Sequence, residues 1–338
     1  MQDDRAPAGP RRPRTALAMG AGVRETVFGA EALERLAGLV NLHEEVVVGP
    51  DSVPLADAEV LVTGWGAPPI DDRLLARAPS LRFISHAAGT VKTFVDPSVF
   101  GRGVRVSSAA DANAVPVAEF TFAAIVFGAK RAFTMAERYR VSGTKRDFSG
   151  MPWLGTHGIT IGLVGASRIG RRVLALLRGL DADLLVYDPY ADPVEIAGLG
   201  ARIVELDELL TRSHVVSLHA PETPQTVGML DKERLALLPD GAVVVNTARG
   251  ALIDHDALVA EVTAGRLDAV LDVTDPEPLP PGHALFGLPN VFVTPHLAGA
   301  QGNELARLAD SALREVARYC SGAPLRHEIH ADELGRIA

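Results

Sequence analysis

A single cysteine, Cys320, serves a chain of 338 residues, so no disulfide closes within it, and a reducing cytosol is the compartment that fits. Cys320 lies in a helical pattern and reads as a packed thiol. Cations are also short: 33 Lys and Arg stand against 42 Asp and Glu, a net charge of −9. That argues against a nucleic-acid partner, because no basic excess exists to displace counterions from phosphates. No uninterrupted apolar run reaches the roughly 18 residues of a membrane span. The first 14 residues carry Arg5, Arg11, Arg12 and Arg14 with three prolines and no apolar centre. They are therefore not a secretory signal, and residues 1–14 read as a flexible tail. Low-complexity linkers and internal repeats are absent too, so a structural connection joins the two halves of the chain. The expected location is cytoplasmic, with no membrane partner.

What is present is globular: 47% hydrophobic and 22% charged residues, at a length that suits about two domains. From Thr15, short apolar strands alternate with amphipathic helices, closing a first unit near residue 110. The stretch 115–131, V-P-V-A-E-F-T-F-A-A-I-V-F-G-A-K-R, is apolar nearly all round its helix, as expected for a helix buried on most sides between domains. The alternation then resumes through Asn290, whose N-V-F-V-T forms the last predicted strand. A final helix near residues 304–319 is long enough to return to the first domain. The prediction is an α/β fold of two Rossmann-like or flavodoxin-like domains with parallel sheets. Residues 15–115 and 300–338 form a discontinuous substrate domain, with a nucleotide-binding domain at 116–299 inserted in it.

Residues 158–190 read as strand, glycine turn, helix and strand, ending in an acid. Gly165, Ser167 and Gly170 occupy the three positions of a G-x-G-x-x-G turn. Gly165 permits the sharp turn, the middle position lets backbone approach a pyrophosphate, and Gly170 lets helix pack on strand. The helix N-terminus offers N–H groups and partial positive charge to phosphates. Asp188, 18 residues after Gly170, is placed to accept from an adenosine ribose and to repel a 2′-phosphate, which favours NAD over NADP. The middle position departs from the pattern. The Ser167 Cβ narrows the approach, and its hydroxyl offers a compensating hydrogen bond.

Ligands of open α/β sheets sit beyond the carboxyl ends of the strands. In the second domain those ends carry Asp188, His219-Ala220-Pro221, Asn246-Thr247-Ala248-Arg249-Gly250, Asp272 and Thr294-Pro295-His296, all on one predicted edge. Arg249 is either a carboxylate clamp or a surface arginine capping the sheet, and Gly250 beside it leaves room for something to approach. Glu277, between prolines in D-P-E-P-L-P-P, has its direction fixed by the stiff loop. A carboxylate beside His296 favours the imidazolium, which suits a proton donor near neutral pH. Together, Arg249 would orient a 2-oxo acid and polarise its carbonyl while His296 supplies the proton.

The stretches G-L-V-G-A-S-R-I-G, S-L-H-A-P-E-T-P-Q-T, V-V-N-T-A-R-G-A-L-I-D, L-D-V-T-D-P-E-P-L-P and T-P-H-L-A-G-A occur in order, with L-R-F-I-S-H-A-A-G-T-V and V-P-V-A-E-F before them. In these the chain resembles the D-isomer-specific 2-hydroxyacid dehydrogenases, from about Thr15 to Ile329. The resemblance implies an Arg249–Glu277–His296 triad. It implies NAD contacts from Gly165, Ser167, Arg168, Ile169, Gly170, Asp188, His219, Pro221, Thr226, Thr247, Ala248, Asp272 and Gly299, with Asp272 near the nicotinamide amide. The loop 87–91, through Ala88 and Gly89, resembles the one whose N–H groups hold the substrate carboxylate. His86 and Trp65 are then either pocket walls or packed residues. A homodimer is also implied, and no metal.

Besides Ser167, two residues depart from the family: Gln301 stands where threonine is common, and Thr90 replaces a glycine or aliphatic residue. The activity implied is NAD(H)-dependent interconversion of a 2-oxo acid and a D-2-hydroxy acid. Phosphite oxidation on the same fold remains open. Formate oxidation resembles a version with glutamine at position 277, so Glu277 argues against it. A non-catalytic NAD-sensing, corepressor-like protein is the alternative outside enzymes.

Overall fold

The computed structural model describes residues 11–143, 148 and 151–334. Residues 1–10 of the expected tail lie outside them, while Arg14 already opens the first strand. The chain divides into two compact units, one running to Asn113 and resuming at Ala300, the other Ala114–Gly299.

The first unit holds β1 (Arg14–Ala18), β2 (Asn41–Val47), β3 (Val60–Thr63), β4 (Phe83–His86) and β5 (Arg105–Ser108). They run in the order β5-β4-β3-β1-β2, all parallel, with an antiparallel strand Glu328–Ile329 beside β5. Counted along the chain this is 2-1-3-4-5, the flavodoxin-like order. Both faces of the sheet are covered. Leu61 packs with Ile84 and Leu74 on one side, and Val60 and Val62 pack with Phe83 and Leu36 on the other. Burial on both faces is why these strands read as continuous apolar runs and not as alternating ones. The helix Leu305–Ser321 belongs to this unit: Leu308, Ala312, Leu313 and Val316 pack with Leu17, Val62 and Phe83. The hydroxyl of Ser85 donates to the Ala312 carbonyl at 3.1 Å.

The second unit holds β6 (Ile159–Val164), β7 (Ala182–Tyr187), β8 (Arg202–Ile203), β9 (Val215–Leu218), β10 (Val243–Asn246), β11 (Asp268–Leu271) and β12 (Val291–Val293). The order is β8-β7-β6-β9-β10-β11-β12 with every pair parallel. Its first six strands in chain order lie as 3-2-1-4-5-6, the dinucleotide-binding arrangement, and the order reverses between β6 and β9. Because all seven run one way, every strand's C-terminal residue reaches the same edge. The α/β architecture expected from the sequence is the one observed.

The helix Ala110–Ala129 corrects one expectation. It is 20 residues long with a mean hydropathy of 1.5, enough by length and composition for a membrane span, which counting uninterrupted apolar runs had missed. Half of it is buried within the protein. Ala118, Ala124, Ile125 and Ala129 pack against Val243, Val245 and Val270 of β10 and β11, as a core helix does. Burial is not all round, however: Glu119, Ala123 and Phe127 recur every four residues as an exposed stripe.

Candidate active site

The glycine turn sits where the strand order reverses. Gly165 has φ +102°, and a Cβ there would meet the Ala220 backbone nitrogen at 2.6 Å. At Gly170 a Cβ would meet the Gly165 carbonyl oxygen at 2.3 Å. Both positions therefore exclude any side chain, one for the turn after β6 and the other for the helix that follows. Ser167 caps that helix, Arg168–Leu177, its Oγ accepting from the Gly170 N–H at 3.3 Å. The departure at the middle position thus has a local cause: serine satisfies one of the orphan donors of the first turn. Its own hydroxyl hydrogen is still available to donate.

Asp188, at the end of β7, accepts from the Ala166 N–H at 2.7 Å and the Tyr190 N–H at 2.8 Å. The acid expected at a ribose is also bonded into the turn. One lone pair on each oxygen remains for hydroxyl donors. His219, after β9, is 3% exposed, with Nε2 at 2.9 Å from Ser217 Oγ. Burial pushes its pKa down to about 3. Its Nδ1 is buried without a partner among the described residues. Thr226 donates to the Pro221 carbonyl at 2.6 Å and accepts from the Thr223 N–H at 2.8 Å, which closes the loop following β9.

Past β10, Asn246 clamps its own turn: Oδ1 accepts from the Ala248 N–H at 3.0 Å and Nδ2 donates to the Arg249 carbonyl at 2.8 Å. Thr247 Oγ1 lies 2.7 Å from Thr121 Oγ1, whose hydrogen goes to the Val117 carbonyl at 2.7 Å. Thr247 is therefore the donor of that pair. The Arg249 guanidinium folds back to the Ala248 carbonyl at 2.6 Å, and among the described residues no bond joins it to Glu277 or His296. Gly250 does leave room for a neighbour. A Cβ there would meet the Thr274 carbonyl carbon and oxygen at 2.1 Å, so the group that approaches is the backbone leading to Glu277.

The structure brings Glu277 and His296 together, with Oε1 2.6 Å from Nδ1. Thr274 Oγ1 donates to the Pro276 carbonyl at 2.9 Å, steadying the loop on the glutamate side. His296 has φ +52°, a left-handed conformation costing a non-glycine residue roughly 1–2 kcal/mol. Asp272 holds it there. The Asp272 carbonyl accepts from the His296 N–H at 2.9 Å. Its carboxylate, 1% exposed, accepts from Thr294 Oγ1 at 2.6 Å and from the N–H groups of Leu297 at 2.8 Å and Ala298 at 2.9 Å. The residue expected beside a nicotinamide amide thus spends three acceptor positions on the loop of the histidine. Gly299 ends that loop and this unit.

In the first unit, the loop after β4 is built on His86. That ring is 3% exposed, tilted against Phe94 with centroids 4.8 Å apart, and bonded to Thr63 Oγ1 at 2.9 Å. Burial pushes its pKa down to about 4, opposed by a hydrogen bond to the Thr90 backbone. Of its two readings, the structure gives packing; Trp65 is exposed. The hydroxyl of Thr90 accepts from the Lys92 N–H at 3.2 Å. Among the described residues the N–H groups of Ala88, Gly89 and Val91 have no protein acceptor, which leaves them available to an anion. The N–H of Gln301 donates to the Glu304 side chain at 3.1 Å, starting the last helix.

The second unit's edge fits a dinucleotide: a tight turn in which Gly165 and Gly170 admit no Cβ, a ten-residue helix N-terminus, an acceptor at Asp188, and a buried, unpaired polar nitrogen at His219. Sequence reasoning placed Asn246 at its strand end without a bonding role and missed Thr121 and His255; all three act on the loops by hydrogen bonding. An apolar strand ending in Asn-Thr was the one available signal, and it pointed to Asn246 alone.

Comparison with known proteins agrees. Residues 123–298 match the NAD-binding domain model of the D-isomer specific 2-hydroxyacid dehydrogenases. D-3-phosphoglycerate dehydrogenase of Mycobacterium tuberculosis is 37% identical over 279 residues, 80% of this chain and 51% of that protein. The chain spans about half the length of such curated relatives. Glyoxylate reductase of Korarchaeum cryptofilum is 31% identical over 305 residues, covering 86% of this chain and 91% of that protein. A crystal structure of a Thermus thermophilus protein superimposes with a TM-score of 0.75 at 32% identity, covering 94% of this chain and 100% of that one. With its family model matched over half its length and its sheets in these two orders, the chain belongs to the NAD-dependent D-isomer specific 2-hydroxyacid dehydrogenase family.

Proposed function

We propose that the chain reduces a 2-oxo acid to a D-2-hydroxy acid with NADH, and catalyses the reverse, with His296, Glu277 and Arg249 as its catalytic residues. The observation that carries this reading is the 2.6 Å contact between Glu277 Oε1 and His296 Nδ1. An ionised carboxylate only accepts, so the proton between them belongs to Nδ1. Nε2 is then the nitrogen that gives its proton to the substrate oxygen in reduction and takes it back in oxidation. Glu277 steadies the ring's tautomer and the positive charge it carries before transfer. Arg249, once its side chain swings from the Ala248 carbonyl, offers a planar fork to the substrate carboxylate and polarises the adjacent carbonyl. Bound NADH supplies the hydride to C2 of the substrate.

Pro221, Thr226, Thr247, Ala248 and Gly299 take part through the loops they shape, and Ala88 and Gly89 offer backbone donors suited to a carboxylate. Homodimer formation and a cytoplasmic location are part of the same proposal. The test is NADH oxidation with glyoxylate, hydroxypyruvate, pyruvate and bulkier 2-oxo acids. Turnover of at least one is expected. Tight NADH binding with no turnover of any acid would overturn the enzymatic reading in favour of an NAD-sensing protein.

A further inference from the structure

We propose that His255 is a positioning residue: its ring holds the Asp275 backbone and so sets the direction from which Glu277 meets His296. The inference rests on the reading of Glu277 and His296 as the acid–base pair.

His255 opens the helix His255–Thr263, which Asp254 caps by accepting from the Ala257 N–H at 3.0 Å. Its Nδ1 lies 3.2 Å from the Ile253 carbonyl, and its Nε2 accepts from the Asp275 N–H at 3.2 Å. A carbonyl only accepts and an amide N–H only donates. One neutral tautomer, protonated at Nδ1, satisfies both bonds, whereas an imidazolium would set N–H against N–H. The surroundings favour that neutral ring. Burial lowers the pKa of His255, and His283 lowers it further, against the opposing Ile253 carbonyl and the carboxylates of Asp275 and Asp254.

From the held N–H the chain runs Asp275-Pro276-Glu277-Pro278, and the proline rings before and after the glutamate leave it little backbone freedom. Gly250 lets the Thr274–Asp275 backbone press against the turn of Arg249, and the Thr274 hydroxyl holds the Pro276 carbonyl. Neither engages the Asp275 N–H, for which His255 is the one side-chain acceptor among the described residues. Such bracing matters because the pair itself is open: the side chains of Glu277 and His296 are 42% and 51% exposed. Water competes for both, and an exposed ion pair is held only weakly by its own attraction. Its geometry must come from the backbone.

The test compares His255→Leu, which keeps bulk and removes the acceptor, with His255→Gln, which returns an amide oxygen within reach. Both are assayed with NADH and glyoxylate or hydroxypyruvate, beside Glu277→Gln. His255→Leu is expected to lower kcat about ten-fold, a modest share of the ~10²-fold that a 1 Å misplacement costs. KM and NADH affinity should stay within two-fold, and His255→Gln should recover most of the loss. An unchanged kcat in His255→Leu, or a loss appearing in KM or NADH affinity, overturns the proposal. So does a His255→Gln protein that folds and shows no recovery. In the wild-type protein the Asp275 amide should be protected from hydrogen exchange; free exchange there overturns the proposal without any variant. An unimpaired Glu277→Gln, or no wild-type turnover, overturns the underlying acid–base reading instead, and His255's role with it.

Discussion

Asp272→Asn is the substitution that best separates what Asp272 does for the protein from what it does for a cofactor. The carboxylate takes hydrogen bonds from Thr294 Oγ1 and Leu297 N on one oxygen and from Ala298 N on the other. An asparagine keeps one accepting oxygen. Its best orientation preserves the two bonds to Thr294 and Leu297 and turns its NH2 toward the Ala298 N–H. One hydrogen bond to a charged group is then lost, roughly 1.5–3 kcal/mol, and two buried donors face each other. The loop also carries a left-handed His296, a strain of roughly 1–2 kcal/mol that its surroundings must hold. The expected outcome is a loss of about 2–3 kcal/mol in urea unfolding of the cofactor-free protein. Amide exchange should quicken at Leu297 and Ala298, and kcat should fall as His296 relaxes from its φ. If Asp272 serves a cofactor alone, unfolding without cofactor will match the wild type. That result would refute the loop-holding role.

His296→Gln should lower kcat by about 10²-fold or more, the share of an acid–base group, with NADH affinity retained in a fluorescence titration. NADH should be preferred over NADPH, and Asp188→Ser should narrow the gap; equal use of both by the wild type would contradict the ribose reading of Asp188. His86 and His219 are buried neutral, with pKa values near 4 and 3 against 6.5 when exposed. Their stabilisation is complete above pH 6.5 and is lost as pH falls toward those values, about 3 kcal/mol for each by pH 4. Thermal midpoints measured from pH 7 to 4 should fall accordingly, and less steeply in His86→Asn. Ser167→Ala should cost about 1 kcal/mol through the lost helix cap, and Ser167→Gly only a few tenths; an equal cost for both would show that the cap is not the source.

The candidate site was legible in the sequence where a residue's place follows from its own strand. His296, Asp272, Arg249, His219 and Asp188 each end a short apolar run, and parallel strands deliver their ends to one edge. Glu277 was legible for a different reason: prolines on both sides mark a loop stiff enough to aim a carboxylate. The helix Ala110–Ala129 was read less well. Its sequence shows little preference for one face, and the stripe of Glu119, Ala123 and Phe127 is set by what the other faces pack against.

By itself the sequence determined the alternation of strand and helix, the glycine turn, and the inventory of polar groups at the strand ends, since each depends on spacing within one segment. Only the tertiary structure decided what those groups bond to. It turned Asp272 toward the loop of His296, gave the space beside Gly250 to the Thr274 backbone, tied Thr247 to Thr121, and set His255 beneath Asp275. Each of those contacts joins residues about 20 or more apart in the chain. The order of strands sets such contacts, and no local periodicity encodes that order.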